Sequence, residues 1–297
     1  MIDVKNVTKH FETFKVLDDI SLHVPKGSIY GLVGPNGAGK TTIINHITGV
    51  LKPEKGTITV DGKRVFDNGE IDSVLSIADD WFFYNSYSVK QMSKFYENIY
   101  KRFDRERYNK LKELLGIDES KQIRKLSKGM KKQVAFLLSL SCKPDVLILD
   151  EPLDGLDPVM RKQILNIIIA EVADREMTVL VSSHNLRELE DICDHVGIIH
   201  EGRMMLEKPL DDIKGGVHKY QVVFKDKIPD DIQKAENVVH VSNTGSVYSV
   251  IMRGDILSCE RFIEKFSPVL FERVNLTLEE IFIYELGGVG YDCKNIF

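Results

Sequence analysis

The chain holds 297 residues, 43% of them hydrophobic and 29% charged, with a formal net charge of −5. This composition fits a soluble globular protein with one large core and room for a smaller second domain, and the acidic balance argues against a general nucleic-acid binder. No run approaches roughly 18 consecutive apolar residues, the first residues lack an apolar leader, and Cys142, Cys193, Cys259 and Cys293 have neither metal nor disulfide spacing, so a reducing cytoplasm is expected and any membrane role must come through a partner.

In chain order, the first sixty residues alternate apolar and polar positions around turn signals. Lys15 to Val24, followed by Pro25-Lys26-Gly27, is one such stretch, and Gly56 to Lys63 reads as a hairpin, so an antiparallel layer is expected. Ser28 to Val33 reads as a buried strand. It runs into Gly34, Pro35, Asn36, Gly37, Ala38, Gly39, Lys40 and Thr41, which fit G-x-x-x-x-G-K-[ST], and Thr42 to Ile47 then reads as a helix start. Strand, loop and helix are the setting a phosphate-binding loop needs. Its backbone N–H groups wrap a polyphosphate as an anion nest, and the helix N-terminus adds attraction. Lys40 can reach the β- and γ-phosphates, and the Thr41 hydroxyl can ligate Mg2+.

From Val89 to about Leu140 the period becomes helical, with a break near Gly116-Ile117-Asp118. Val146 to Leu149 is a short apolar strand closed by two acids, Asp150 and Glu151. A helix over Val159–Arg175, a strand over Thr178–Ser182 and a helix over Leu186–Cys193 follow. That alternation predicts an α/β fold around a parallel sheet covered on both faces. Composition shifts at Gly215-Gly216. Beyond it, Tyr220–Phe224, Val238–Val241 and Val247–Ile251 read as strands, Cys259–Phe266 and Leu278–Leu286 as helices, and the tail from Gly287 as mobile.

Further motifs accompany the phosphate loop. Leu126-Ser127-Lys128-Gly129-Met130-Lys131-Lys132-Gln133 precedes an apolar helix, Pro152 follows the acidic strand end, Gly155-Leu156-Asp157-Pro158 forms a turn, and His184 follows the next strand. In this order the chain resembles the ATP-binding cassette (ABC) ATPase family, and more narrowly the exporter-type cassettes of Gram-positive bacteria, close to the Ytr type. That narrower likeness rests on the Leu-Ser-Lys-Gly-Met-Lys-Lys-Gln run, Asp154-Gly155 in the turn and the ending Thr277-Leu278-Glu279-Glu280-Ile281-Phe282. The resemblance implies a P-loop core (1–78 and 144–215) with an antiparallel layer, an inserted helical subdomain (79–143), and a small α+β accessory domain over 217–297.

It further implies an ATPase using ATP and Mg2+, closing head to tail with a second cassette, identical or not, and driving a separate integral membrane permease, for export, from the inner face of the membrane. Asp150 would support the metal, Glu151 would orient the attacking water, and His184 would contact the γ-phosphate. Ser127 and Gly129 would meet the γ-phosphate of the other subunit, with Asp157 at the subunit contact. Ser127 also reads as an ordinary helix N-cap. Phe11 matches the position that stacks on adenine, with Phe14 as the competing ring. A cassette acting on nucleic acid or ribosomes is the alternative, but the chain lacks the long coiled coil or second cassette of those relatives. A P-loop kinase would have no use for a signature loop.

Two departures from the family pattern stand out. Lys128 replaces the first glycine of the usual signature, amid Lys121, Arg124, Lys125, Lys131 and Lys132. That cluster reads either as a solvated face or as placing Lys128 near the trans γ-phosphate. Asp79 stands where the family carries a metal-sensing glutamine. Trp81-Phe82-Phe83-Tyr84-Asn85-Ser86-Tyr87 then reads either as core packing or as a partly exposed groove for a permease helix, in which Phe83 should tolerate Asp without unfolding the protein.

Overall fold

The computed structural model describes residues 1–67, 73–79, 83–214, 216–225 and 227–281. Asp80, Trp81, Phe82, Gly215, Cys293, the end of the helix expected over Leu278–Leu286 and the tail from Gly287 lie outside the described residues. The chain divides into Met1–Glu207 and Lys208–Phe297.

The first unit begins with β1 (Ile2–Phe11), β2 (Phe14–Val24), β3 (Ile29–Val33), α1 (Lys40–Ile47), β4 (Lys55–Val60), β5 (Lys63–Arg64) and β6 (Val74–Ile77). A helical stretch follows, with α2 (Val89–Ile99), α3 (Arg105–Leu114) and α4 (Lys128–Ser141). Then come β7 (Val146–Asp150), α5 (Pro158–Arg175), β8 (Thr178–Ser183), α6 (Leu186–Leu189), β9 (His195–His200) and β10 (Arg203–Pro209). The division falls inside β10, ahead of the glycine pair where composition shifts.

Strands β2, β1, β4 and β5 form an antiparallel sheet in that order. Its alternation has a visible cause: β2 turns Leu17, Ile20, Leu22 and Val24 inward and leaves Asp19, Ser21 and His23 exposed. The second sheet has the order β10-β9-β3-β8-β7-β6, with β9, β3, β8, β7 and β6 parallel. Every residue of β3, β7 and β8 is buried, which is why these strands read as continuous apolar runs. Helix α1 sends Ile43, Ile44 and Ile47 into a core shared with Val4, Leu22, Leu32 and Ile148.

Two expected helices change at their ends. The segment after β8 is helical only over Leu186–Leu189 rather than to Cys193, and Asp194 accepts the Ile29 N–H at 2.8 Å just before β9. The break near Gly116 is a C-terminal turn, with Gly116 at φ 63 just past α3.

Glu171 of α5 is 6% exposed and accepts hydrogen bonds from Arg107 of α3 and, at 2.7 Å, from Arg175. Removing one member of a buried ionic group leaves the others uncompensated. Glu171→Ala would leave two guanidinium groups facing each other. It is expected to cost about 3 kcal/mol and to lower the melting midpoint by roughly 6–12 °C, measured by thermal denaturation.

The second unit contains α7 (Leu210–Lys214), β11 (Val217–Val223), α8 (Asp230–Gln233), β12 (Val238–Thr244), β13 (Val247–Arg253), α9 (Ile256–Glu264) and β14 (Leu270–Val274). The strand order β12-β13-β11-β14 is antiparallel throughout, so β11 to β14 form a β-α-β-β-α-β split fold. Its core gathers Tyr220, Val222, Ile232, Val250, Met252 and Ile263. The helix expected from Cys259 starts three residues earlier because Asp255 caps it, accepting from Ser258 N at 3.0 Å.

Candidate nucleotide site

Parallel pairing brings four segments to one edge of the sheet. Val33 pairs with Ser183, Asp150 with Ser182, and Ile77 with Leu149. The carboxyl ends of β3, β7, β8 and β6 therefore carry the Gly34–Thr41 loop, Asp150-Glu151, His184 and Asp79. Open α/β sheets bind ligands in the crevice at such strand ends.

The loop is shaped by glycine where glycine is needed. A Cβ at Gly34 would lie 2.2 Å from the Ile199 carbonyl oxygen of β9, and Gly39 sits at φ 107. Gly34, Ala38 and Gly39 are buried, Pro35 and Thr42 half-buried, and Asn36, Gly37 and Thr41 exposed. Gly39 caps α1 without any side-chain hydrogen bond, and the first turn carries no acid. A helix N-terminus of this kind leaves its N–H groups for an anion, and a polyphosphate fits it. Lys40 is 6% exposed; its Nζ donates to Gly34 O at 2.7 Å and Pro35 O at 3.2 Å, and lies 3.3 Å from Glu151 Oε1.

Glu151 joins the remaining groups. Its Oε2 lies 3.0 Å from His184 Nδ1, so one carboxylate spans the loop lysine and the histidine. Its backbone sits at φ 47, a conformation a non-glycine residue holds only when its surroundings fix it. Ser182 supplies part of that fixing: its hydroxyl accepts from Glu151 N at 3.1 Å and donates to Asp150 Oδ1 at 2.5 Å. Ser182 was not singled out from the sequence; the signal was a serine on β8 in register with the acid of β7. Asp150 is 3% exposed. An alcohol such as Thr41 and a carboxylate such as Asp150 are oxygen donors suited to a hard cation. Glu151, Asp154 and His184 also bring ligand atoms within 4.8 Å of one another.

Asp79 is not part of that cluster. Its Oδ1 lies 3.5 Å from Lys128 Nζ and 3.7 Å from Lys132 Nζ, so it faces two ammonium groups at the start of α4. The cation cluster is likewise not a uniform solvated face. Lys128 is exposed, but the Lys132 side chain is 0% exposed. Ser127 caps α4, accepting from Met130 N at 3.2 Å, and remains exposed. A Cβ at Gly129 would meet Gly155 O at 2.8 Å, which gives that glycine a reason inside its own subunit. Asp157 is exposed and caps α5, accepting from Val159 and Met160 N–H groups, and the neighbouring Val159 is 78% exposed. Phe11 and Phe14 pair across the β1–β2 tip, 47% and 68% exposed.

Phe83 is 6% exposed, which overturns the expectation that it can become Asp harmlessly. It lines the floor of a cleft of about 260 Å³ with Tyr84, Met92, Phe95, Tyr96, Ile99 and Tyr100. Tyr84 and Ile99, 52% and 54% exposed, form its open rim.

Known proteins share this arrangement. The "ABC transporter" family model matches residues 17–154. The chain is 32% identical over 289 residues to the ABC transporter ATP-binding protein YtrB of Bacillus subtilis, covering 97% of this chain and 99% of that one. It is 34% identical over 224 residues to the bacitracin transport ATP-binding protein BcrA of Bacillus licheniformis, covering 74% and 73%. A solved ATP-binding subunit of an ABC transporter superposes with a TM-score of 0.67 at 29% identity, over 72% of this chain and 92% of that one. Phosphate loop, acidic strand end and histidine, brought together at one sheet edge, thus coincide with a relationship running through both units, and the chain belongs to the ATP-binding, ATP-hydrolysing subunits of ABC transporters.

Proposed function

We propose that this subunit hydrolyses Mg-ATP at composite sites formed with a second cassette and so drives a separate membrane permease in export. The observation that carries the proposal is the Glu151 carboxylate, held between Lys40 and His184 at the mouth of the phosphate loop. Lys40 and the N-terminus of α1 would hold the β- and γ-phosphates. Glu151 would take a proton from the attacking water, and His184 would steady that carboxylate and the γ-phosphate. Mg2+, held by Thr41 and Asp150, would neutralise developing charge on the phosphates. One of the two Phe11–Phe14 rings would stack on adenine, with Phe11 favoured.

The second half of the site is assigned to the partner. Cassettes of this family dimerise and pair with permeases. Ser127 and Lys128, exposed, and the half-buried Gly129 form an acid-free helix start that suits a γ-phosphate from another subunit. Asp157 and the bare Val159 beside it fit a subunit contact. Residues 1–78 and 144–215 would form the catalytic core, 79–143 a helical subdomain, and the C-terminal unit an accessory domain. The likeness to a bacitracin transport ATP-binding protein supports export.

No described helix is long and apolar enough to cross a membrane, so attachment at the inner face would come through the permease. The aromatic cleft is the docking place, and an amphipathic cytoplasmic helix of the permease is the occupant. Tyr84→Asp and Ile99→Asp each put a charge on the rim without opening the core. Both variants are expected to keep the wild-type melting midpoint and ATP affinity while losing co-purification with the permease by at least about tenfold. Undiminished association would move the docking surface elsewhere.

A further inference from the structure

Lys132 is a fully buried lysine, although its lysine-rich surroundings in the sequence suggest a solvated face. It lies on the stripe of α4 that continues through Phe136 and Leu140, both 0% exposed. Burying an ammonium is costly unless its protons are taken up. Here Nζ donates to Glu151 O at 2.7 Å and Asp154 O at 2.9 Å, and Asp79 Oδ1 lies 3.7 Å away. One ammonium thus joins the second residue after β6, the first turns of α4 and the turn after β7.

The bond to Glu151 is made at the left-handed residue. The Glu151 peptide is gripped on both sides, its N–H by Ser182 and its carbonyl by Lys132. The direction of the carboxylate follows from that backbone, so a change of a few tens of degrees at residue 151 would carry Oε1 and Oε2 away from Lys40 and His184. Close packing of Gly129 on Gly155 keeps the helix start and the turn in register. Burial pulls the Lys132 pKa below the usual lysine value, while Asp79 and Asp154 push it back up, so the two acids favour the charged form.

We propose that Lys132 is a positioning residue for ATP hydrolysis: it holds the strained backbone of Glu151 and the turn to Asp157, with Asp79 as its counter-charge. The inference rests on reading Glu151 as the general base. It also gives Asp79 a task other than metal binding. Because Ser127 caps α4 and Gly129 lies in its first turn, any shift of that helix displaces the carbonyl anchor of the base in the same subunit.

The test measures kcat and KM for ATP hydrolysis by the purified full chain, with the melting midpoint recorded for each variant. Lys132→Met keeps the apolar stem and removes the donor. It is expected to lower kcat by about tenfold to a hundredfold with KM within about twofold, and Lys132→Gln, whose amide still donates, to recover part of the loss. Asp79→Asn, which removes the counter-charge and keeps the amine, is expected to lower kcat by a smaller factor. A folded Lys132→Met with wild-type kcat would overturn the proposal, as would a loss in which activity merely follows the folded fraction. Should Lys132→Met fail to fold, Asp79→Asn carries the test, and a wild-type kcat in that variant would overturn the proposal. Glu151→Gln, assayed alongside, separates the two readings: if it keeps wild-type turnover, the base assignment fails. If it is inactive while Lys132→Met is unchanged, only the role of Lys132 fails.

Discussion

Glu151→Gln should bind ATP with wild-type or better affinity and hydrolyse it at least about a hundredfold more slowly, since general-base catalysis contributes ~10²–10⁴ in rate. The substitution keeps the shape of the side chain and its backbone, with the Ser182 and Lys132 anchors untouched. An amide can still accept from Lys40 or donate to the His184 ring, but it cannot accept the proton of an attacking water. It also removes a negative charge lying 3.3 Å from Lys40 Nζ, where the γ-phosphate is expected, so binding gains what turnover loses. Equilibrium nucleotide binding and single-turnover hydrolysis separate the two effects. Loss of binding together with turnover would mean that Glu151 is structural.

Lys40→Ala should fail earlier, at binding. The lysine is 6% exposed and its ammonium is held by Gly34 O, Pro35 O and Glu151. Alanine deletes the cation that faces the phosphates and leaves the Glu151 carboxylate without it. Truncating one side of a buried charged contact costs about 2–5 kcal/mol, so ATP affinity should fall by about thirtyfold or more. The fold should hold, because α1 stays anchored through Ile43, Ile44 and Ile47. Titration calorimetry with ATP reads the affinity, and circular dichroism the fold. An unchanged dissociation constant would detach the phosphates from this loop.

The reading of the sequence succeeded where a local pattern has one physical meaning. The apolar runs of β3, β7 and β8 can only be strands covered on both faces, and the glycine loop between β3 and α1 needs the strand and helix that flank it. It stopped where meaning depends on a neighbour far along the chain. Lys132 sits in a lysine-rich stretch and looked solvated; its burial follows from the turn after β7, which only the tertiary packing supplies. Phe83 and Tyr84 are adjacent aromatics, yet one is floor and the other rim. Ser182 matters because of register with Asp150. Asp79 looked like a metal-side acid, and two lysines on another element claimed it.

The parallel order of the central sheet sets a timetable for the molecule. Ile29 of β3 pairs with Val179 of β8, about 150 residues later in the chain. At a synthesis rate of roughly 5–20 residues per second, the phosphate loop leaves the ribosome about seven to thirty seconds before the strand beside it. Helices α2, α3 and α4, rich in local contacts, can form in that interval. The nucleotide crevice is then among the last features the first unit acquires, although its first motif is among the earliest residues made.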